Sequence, residues 1–68
     1  MVALGEAIRR IRVSKEISQE NLALHADVDR SYMGRIERGD NNVTIFTLRK
    51  LAKALGVSLA KLMREAGL

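Results

Sequence analysis

The sequence contains no cysteine and no proline, one histidine, and only two aromatic residues, Tyr32 and Phe46. Without cysteine there are no disulfide staples and no thiolate metal sites, and His25 has no ligand partners in view. A secreted, disulfide-held mini-protein is excluded, and neither a metal nor a cofactor is expected. No apolar run approaches the ~18 residues that cross a bilayer. The opening Met1-Val2-Ala3-Leu4-Gly5-Glu6 is too short and too soon charged for a signal peptide, so a cytoplasmic protein without a membrane partner is expected. The lack of proline and the supply of Leu, Ile, Val and Ala favour helix over strand, an all-α chain. At 68 residues a single domain over 1–68 is expected, burying roughly 60% of its unfolded surface and leaving little room for a catalytic cleft. No nucleophile, base and orienting group converge, because Ser18 and Ser58 read as helix caps and His25 stands alone. No catalytic residue is assigned, and no enzyme is expected.

What is present is basic charge. Twelve Lys and Arg against eight Asp and Glu give a net +4, a balance that points towards a polyanion such as nucleic acid. The excess is unevenly spread: residues 1–17 carry +2, residues 18–42 carry −2 and residues 43–68 carry +4. Any basic surface must therefore be assembled by folding.

Apolar residues at Leu4, Ala7, Ile8 and Ile11 mark one face of a first helix running to Val13, with Arg9, Arg10 and Arg12 on its other faces. Ser18 caps a second, two-turn helix that ends near Ala26, and Asp29 caps a third from Arg30 to Arg38 that ends at Gly39. The third buries Met33 and Ile36. Asp40-Asn41-Asn42 reads as a loop. Thr44 caps a fourth helix through Leu48, Leu51, Ala52 and Leu55 to Gly56, and Ser58 caps a fifth through Leu59, Leu62 and Met63 to Gly67. Five short helices joined by tight turns result, with no repeat or linker.

The second and third helices are separated only by Asp27 and Val28, which makes them cross steeply, and the small Ala23 and Ala26 allow close approach. That is a helix-turn-helix over residues 18–39. Here the motifs Ser18-Gln19-Glu20-Asn21-Leu22-Ala23, Val28-Asp29-Arg30-Ser31-Tyr32-Met33, Ile36-Glu37-Arg38-Gly39 and Leu51-Ala52-Lys53-Ala54-Leu55-Gly56-Val57-Ser58 resemble those of the Xre family of DNA-binding regulators, which includes the Cro and repressor proteins of lambdoid phages. The resemblance extends from about Ile8 to Leu62 and implies a lambda-repressor-like DNA-binding domain. Arg30-Ser31-Tyr32-Met33 and Asn42-Val43-Thr44 are most similar to the controller proteins of restriction-modification systems, small dimeric regulators. The family commonly has Gly where this chain has Glu16, and often where it has Asp27. Either site is strained by ~1 kcal/mol if left-handed.

A recognition helix lies in the major groove with its N-terminal residues near base edges, so Arg30, Ser31 and Arg35, opposite Met33 and Ile36, are the candidates for readout. The alternative is a solvated helix face. Tyr32 can donate to phosphate or pack on a thymine methyl, or it is an amphipathic surface residue. Gln19 resembles the family glutamine that touches the DNA backbone beside a helix N-terminus. Gly34 weakens the helix by ~1 kcal/mol relative to Ala and either permits close approach of DNA or is a tolerated defect. Arg38, Asn41 and Asn42 can reach phosphates or a base, or simply form the loop. The resemblance also implies a structural ion pair between Arg12 and Glu37. His25, Lys50, Lys53 and Lys61 read as solvated surface.

Two functions compete. One is a sequence-specific regulator that binds duplex DNA as a homodimer on a near-palindromic operator. The other is an antitoxin or adaptor whose helices bind a protein, with RNA polymerase or a toxin left open as partner. For dimerisation, Phe46, Met63, Ala66 and Leu68 are the apolar residues without an evident internal place, and a self-complementary patch of them sets two recognition helices about 34 Å apart.

Overall fold

The computed structural model describes residues 2–40 and 42–68 and consists there of five helices: α1 (Val2–Ser14), α2 (Gln19–Ala26), α3 (Arg30–Arg38), α4 (Ile45–Leu55) and α5 (Leu59–Glu65). Each of the last four begins at a side-chain cap. The hydroxyls of Ser18, Thr44 and Ser58 accept from the backbone N–H of Asn21 (3.0 Å), Thr47 (3.2 Å) and Lys61 (3.0 Å), and the Asp29 carboxylate accepts from Tyr32 N–H at 3.2 Å. These bonds satisfy donors that a helix start leaves unpaired. Immediately before each cap stands an apolar residue, Ile17, Val28, Val43 or Val57, that is half-buried against the core. Five positions further on lie the buried Leu22, Met33, Leu48 and Leu62. This is the spacing of a hydrophobic staple, which fixes the direction in which the chain enters a helix.

The helix ends are equally uniform. Ile17, Val28, Asp40, Val57 and Leu68 each donate a backbone N–H to the carbonyl five residues earlier, at Arg12, Ala23, Arg35, Ala52 and Met63, over 2.9–3.1 Å. Such a bond needs a left-handed residue just before it. Gly39, Gly56 and Gly67 supply three of these, and Glu16 and Asp27 the others, both at φ 56°. The strain foreseen at these two non-glycine positions is therefore present.

The helices enclose one cluster built from Leu4, Ile8 and Ile11 of α1, Leu22 of α2, Met33 and Ile36 of α3, Leu48, Leu51 and Leu55 of α4, and Leu62 of α5. Helix α1 packs on α3 and α5, while α2 packs on α3 and α4. The close crossing of α2 rests on Ala23 and Ala26, both buried. A second close approach joins α1 to α3. A Cβ on Gly5 would stand 2.6 Å from the carbonyl oxygen of Glu37 and closer still to that of Ile36. Only glycine lets the two backbones meet there. Ala66 corrects an expectation: it is 9% exposed and belongs to the core, because it stands one turn after the enclosed Leu62, on the same face, with its N–H bonded to the Leu62 carbonyl at 3.1 Å. Met63 is also half-buried against the core, so both have an internal place. No helix among the described residues is long and apolar enough to cross a membrane.

Candidate nucleic-acid interface

Helix α3 is two-sided. Met33 and Ile36 are sealed in the core, which turns Arg30, Ser31 and Arg35 to solvent. Together with Gln19, Gly34 and Arg38 they line an open cleft beside the start of α2. Arg30 and Arg35 have no ion-pair partner among the described residues, so their planar, multiply donating heads are free for an external acceptor. Arg38 is bonded through Nε to Asp40 at 3.0 Å, an exposed contact that holds the guanidinium weakly.

Several contacts fix the angle at which α3 is presented. Arg12 Nε and Nη2 donate to the Glu37 carboxylate at 2.7 and 3.0 Å, and Arg12 Nη1 donates to the Ile17 carbonyl at 2.9 Å. The two side chains are 12% and 4% exposed. Gln19 joins this pair, its amide nitrogen donating to Glu37 at 3.2 Å. Gln19 thus lines the cleft while one of its two amide N–H donors is committed to the scaffold, a role the sequence did not disclose. At the other end, Tyr32 is half-buried and its hydroxyl donates to the backbone carbonyl of Asn42 at 3.5 Å, linking α3 to the loop before α4. Asn42 itself is exposed, and Asn41 lies outside the described residues.

At Gly34 the floor of the cleft is covered by neighbouring side chains. The glycine is buried, and a Cβ there would lie 3.3 Å from Arg38 Nη1 and 3.7 Å from the Gln19 amide oxygen. The absence of a side chain makes room for the Arg38 guanidinium to lie back along the helix. Arg9 was not singled out from the sequence, yet it lines the neighbouring cleft with Arg12, Gln19, Gly34, Glu37 and Arg38. Its signal was only its place on the polar side of α1, shared with several other charges. Among the described residues no cluster of His, Asp and Glu is arranged to hold a metal. Away from this face, Phe46 and Leu68 are 73% and 69% exposed, and Ile45 beside Phe46 is exposed as well.

An exposed, partly unpaired row of arginines on a rigidly mounted helix suits the grooved, anionic surface of duplex DNA. The comparisons agree with that geometry. Residues 8–62 match the helix-turn-helix family model HTH_3. The chain is 48% identical over 54 residues to the control protein C.BamHI of Bacillus amyloliquefaciens, covering 78% of this chain and 67% of that one. The restriction-modification controller protein C.AhdI of Aeromonas hydrophila superposes with a TM-score of 0.88 at 43% identity, over 90% of this chain and 92% of the other. The biofilm regulator SinR, solved in complex with DNA, superposes with a TM-score of 0.83 at 36% identity, over 88% of this chain and 97% of its own.

Proposed function

The chain belongs to the helix-turn-helix (HTH_3) family of DNA-binding transcription regulators, and from that membership we propose that it is the controller protein of a restriction-modification system, binding a near-palindromic operator as a homodimer. It is a regulator and not an enzyme. The observation that carries the reading is the outward face of α3, where Arg30 and Arg35 stand unpaired beside Ser31 on a helix whose opposite face is sealed in the core. Arginine grips guanine O6 and N7 through two parallel bonds, and Ser31 can bond to either kind of base edge. Tyr32, Arg38, Asn41 and Asn42 are assigned to the flanking backbone or an adjacent base. Gln19 contributes through the start of α2, where unpaired N–H groups favour a phosphate.

The controller assignment is supported by the similarity to C.BamHI and C.AhdI, a control protein and a restriction-modification controller by name. SinR, of the same fold, was solved on DNA. Dimerisation is supported by the exposed Ile45 and Phe46 at the first turn of α4, with Leu68 as a further exposed apolar residue. With Ala66 enclosed and Met63 half covered, Phe46 is the centre of the proposed contact. A mobility-shift titration of the purified chain against the DNA upstream of its own gene tests the proposal. A discrete complex outcompeted by that DNA far more strongly than by mixed sequence is expected, and equal competition by both contradicts sequence-specific binding.

A further inference from the structure

We infer that Arg9 is a DNA-backbone residue, and that the protein grips a phosphate in the α1–α3 cleft beside the base-reading face of the recognition helix. The inference rests on the DNA-binding reading above and extends it to a helix outside the helix-turn-helix. The cleft lined by Arg9, Arg12, Gln19, Gly34, Glu37 and Arg38 adjoins the one lined by Arg30, Ser31 and Arg35, and the two share Gln19, Gly34 and Arg38. A strand following the recognition face therefore passes directly to Arg9. Within the second cleft, Arg12 and Glu37 neutralise one another at 2.7 Å, and Arg38 is bonded to Asp40. Arg9 is exposed and makes no hydrogen bond or ion pair among the described residues, so it is the cleft's uncompensated charge. Its neighbour Arg10 is also exposed but has a partner: it is turned to α5, donating to the Glu65 carbonyl at 2.8 Å and pairing with the Glu65 carboxylate. The unit charge of Arg9 on a flexible stem suits a phosphate and carries no base code, so it adds affinity without adding selectivity.

The test measures binding to a mixed-sequence duplex and to the upstream DNA as salt is varied, for the wild type, Arg9→Gln, Arg9→Lys and Arg10→Gln, with thermal melts to verify folding. Arg9→Gln is expected to weaken both duplexes by the same factor and to make the slope of log affinity against log salt shallower by about 0.9 for each Arg9 in the complex. Arg9→Lys should restore the slope, and Arg10→Gln should leave it at the wild-type value. If the wild type binds with a steep slope and Arg9→Gln behaves like Arg10→Gln, the inference about Arg9 fails while the DNA-binding reading stands. A wild type that binds neither duplex overturns both.

Discussion

The Glu37 carboxylate takes two hydrogen bonds from the Arg12 guanidinium, at 2.7 Å from Nε and 3.0 Å from Nη2, and the pair fastens the last turn of α3 to α1. With Glu37 4% and Arg12 12% exposed, removing one member strands a charge in the interior. Arg12→Ala is expected to cost ~3–5 kcal/mol, a large share of the roughly 5–15 kcal/mol that holds a small domain folded. Replacing both residues by methionine should recover much of that loss, since no charge is then left unpaired. Urea denaturation of the single and double variants is the measurement. A single variant as stable as the wild type would mean that the pair is ornamental.

Gly5 provides a steric test of the same junction. Gly5→Ala places a methyl against the carbonyls of Ile36 and Glu37 and should destabilise by about 1–3 kcal/mol, lowering Tm by roughly 4–8 °C for each kcal/mol. Gly34→Ala is the counterpart. The nearest atom there is the far end of Arg38 at 3.3 Å, which can move, and alanine is the better helix former by ~1 kcal/mol. Its Tm should rise.

Glu16 and Asp27 hold the same left-handed conformation at φ 56° but should respond differently to glycine. A left-handed conformation costs roughly 1–2 kcal/mol for most side chains and less for Asp, whose short polar group tolerates it. Glu16→Gly is expected to stabilise by about 1 kcal/mol and Asp27→Gly by less, read from denaturation midpoints. The reverse order would contradict the assignment of strain.

The fold was legible in the sequence because its signals are local. Ser18, Asp29, Thr44 and Ser58 cap the helices as their positions implied, and Gly39 and Gly56 end them. What the sequence did not show is the contacts between distant elements. The approach of the α3 carbonyls to Gly5 was not visible, because no periodicity records it. Ala66 shares the core face with Leu62, four residues before it, a spacing that the sequence contains but that went unused. Gln19 has the same helix-start signal whether its amide faces DNA or Glu37, and Arg9 is indistinguishable from Arg10 until α3 and α5 are seen on opposite sides of α1. The two readings of Gly34 stayed open for want of knowing where Arg38 lies.

The proposed dimer contact is centred on the first turn of α4. Phe46→Ser is expected to shift the protein towards monomer in sedimentation at micromolar concentration and to weaken operator binding, while leaving the fold intact because Phe46 is 73% exposed. A monomeric wild type, or a variant that associates equally well, would rule out this interface.

The α3 arginines and their surroundings are proposed to bind duplex DNA. The most direct test is the salt dependence of binding to the upstream DNA, with Arg30→Ala and Arg35→Ala alongside the wild type. For about 6–10 phosphate contacts the wild-type affinity should fall by ~10³–10⁵ between about 50 and 200 mM salt. Each variant should lose about 1–3 kcal/mol on that DNA and discriminate less against mixed sequence. A flat salt titration, or arginine variants that keep full discrimination, would contradict the account.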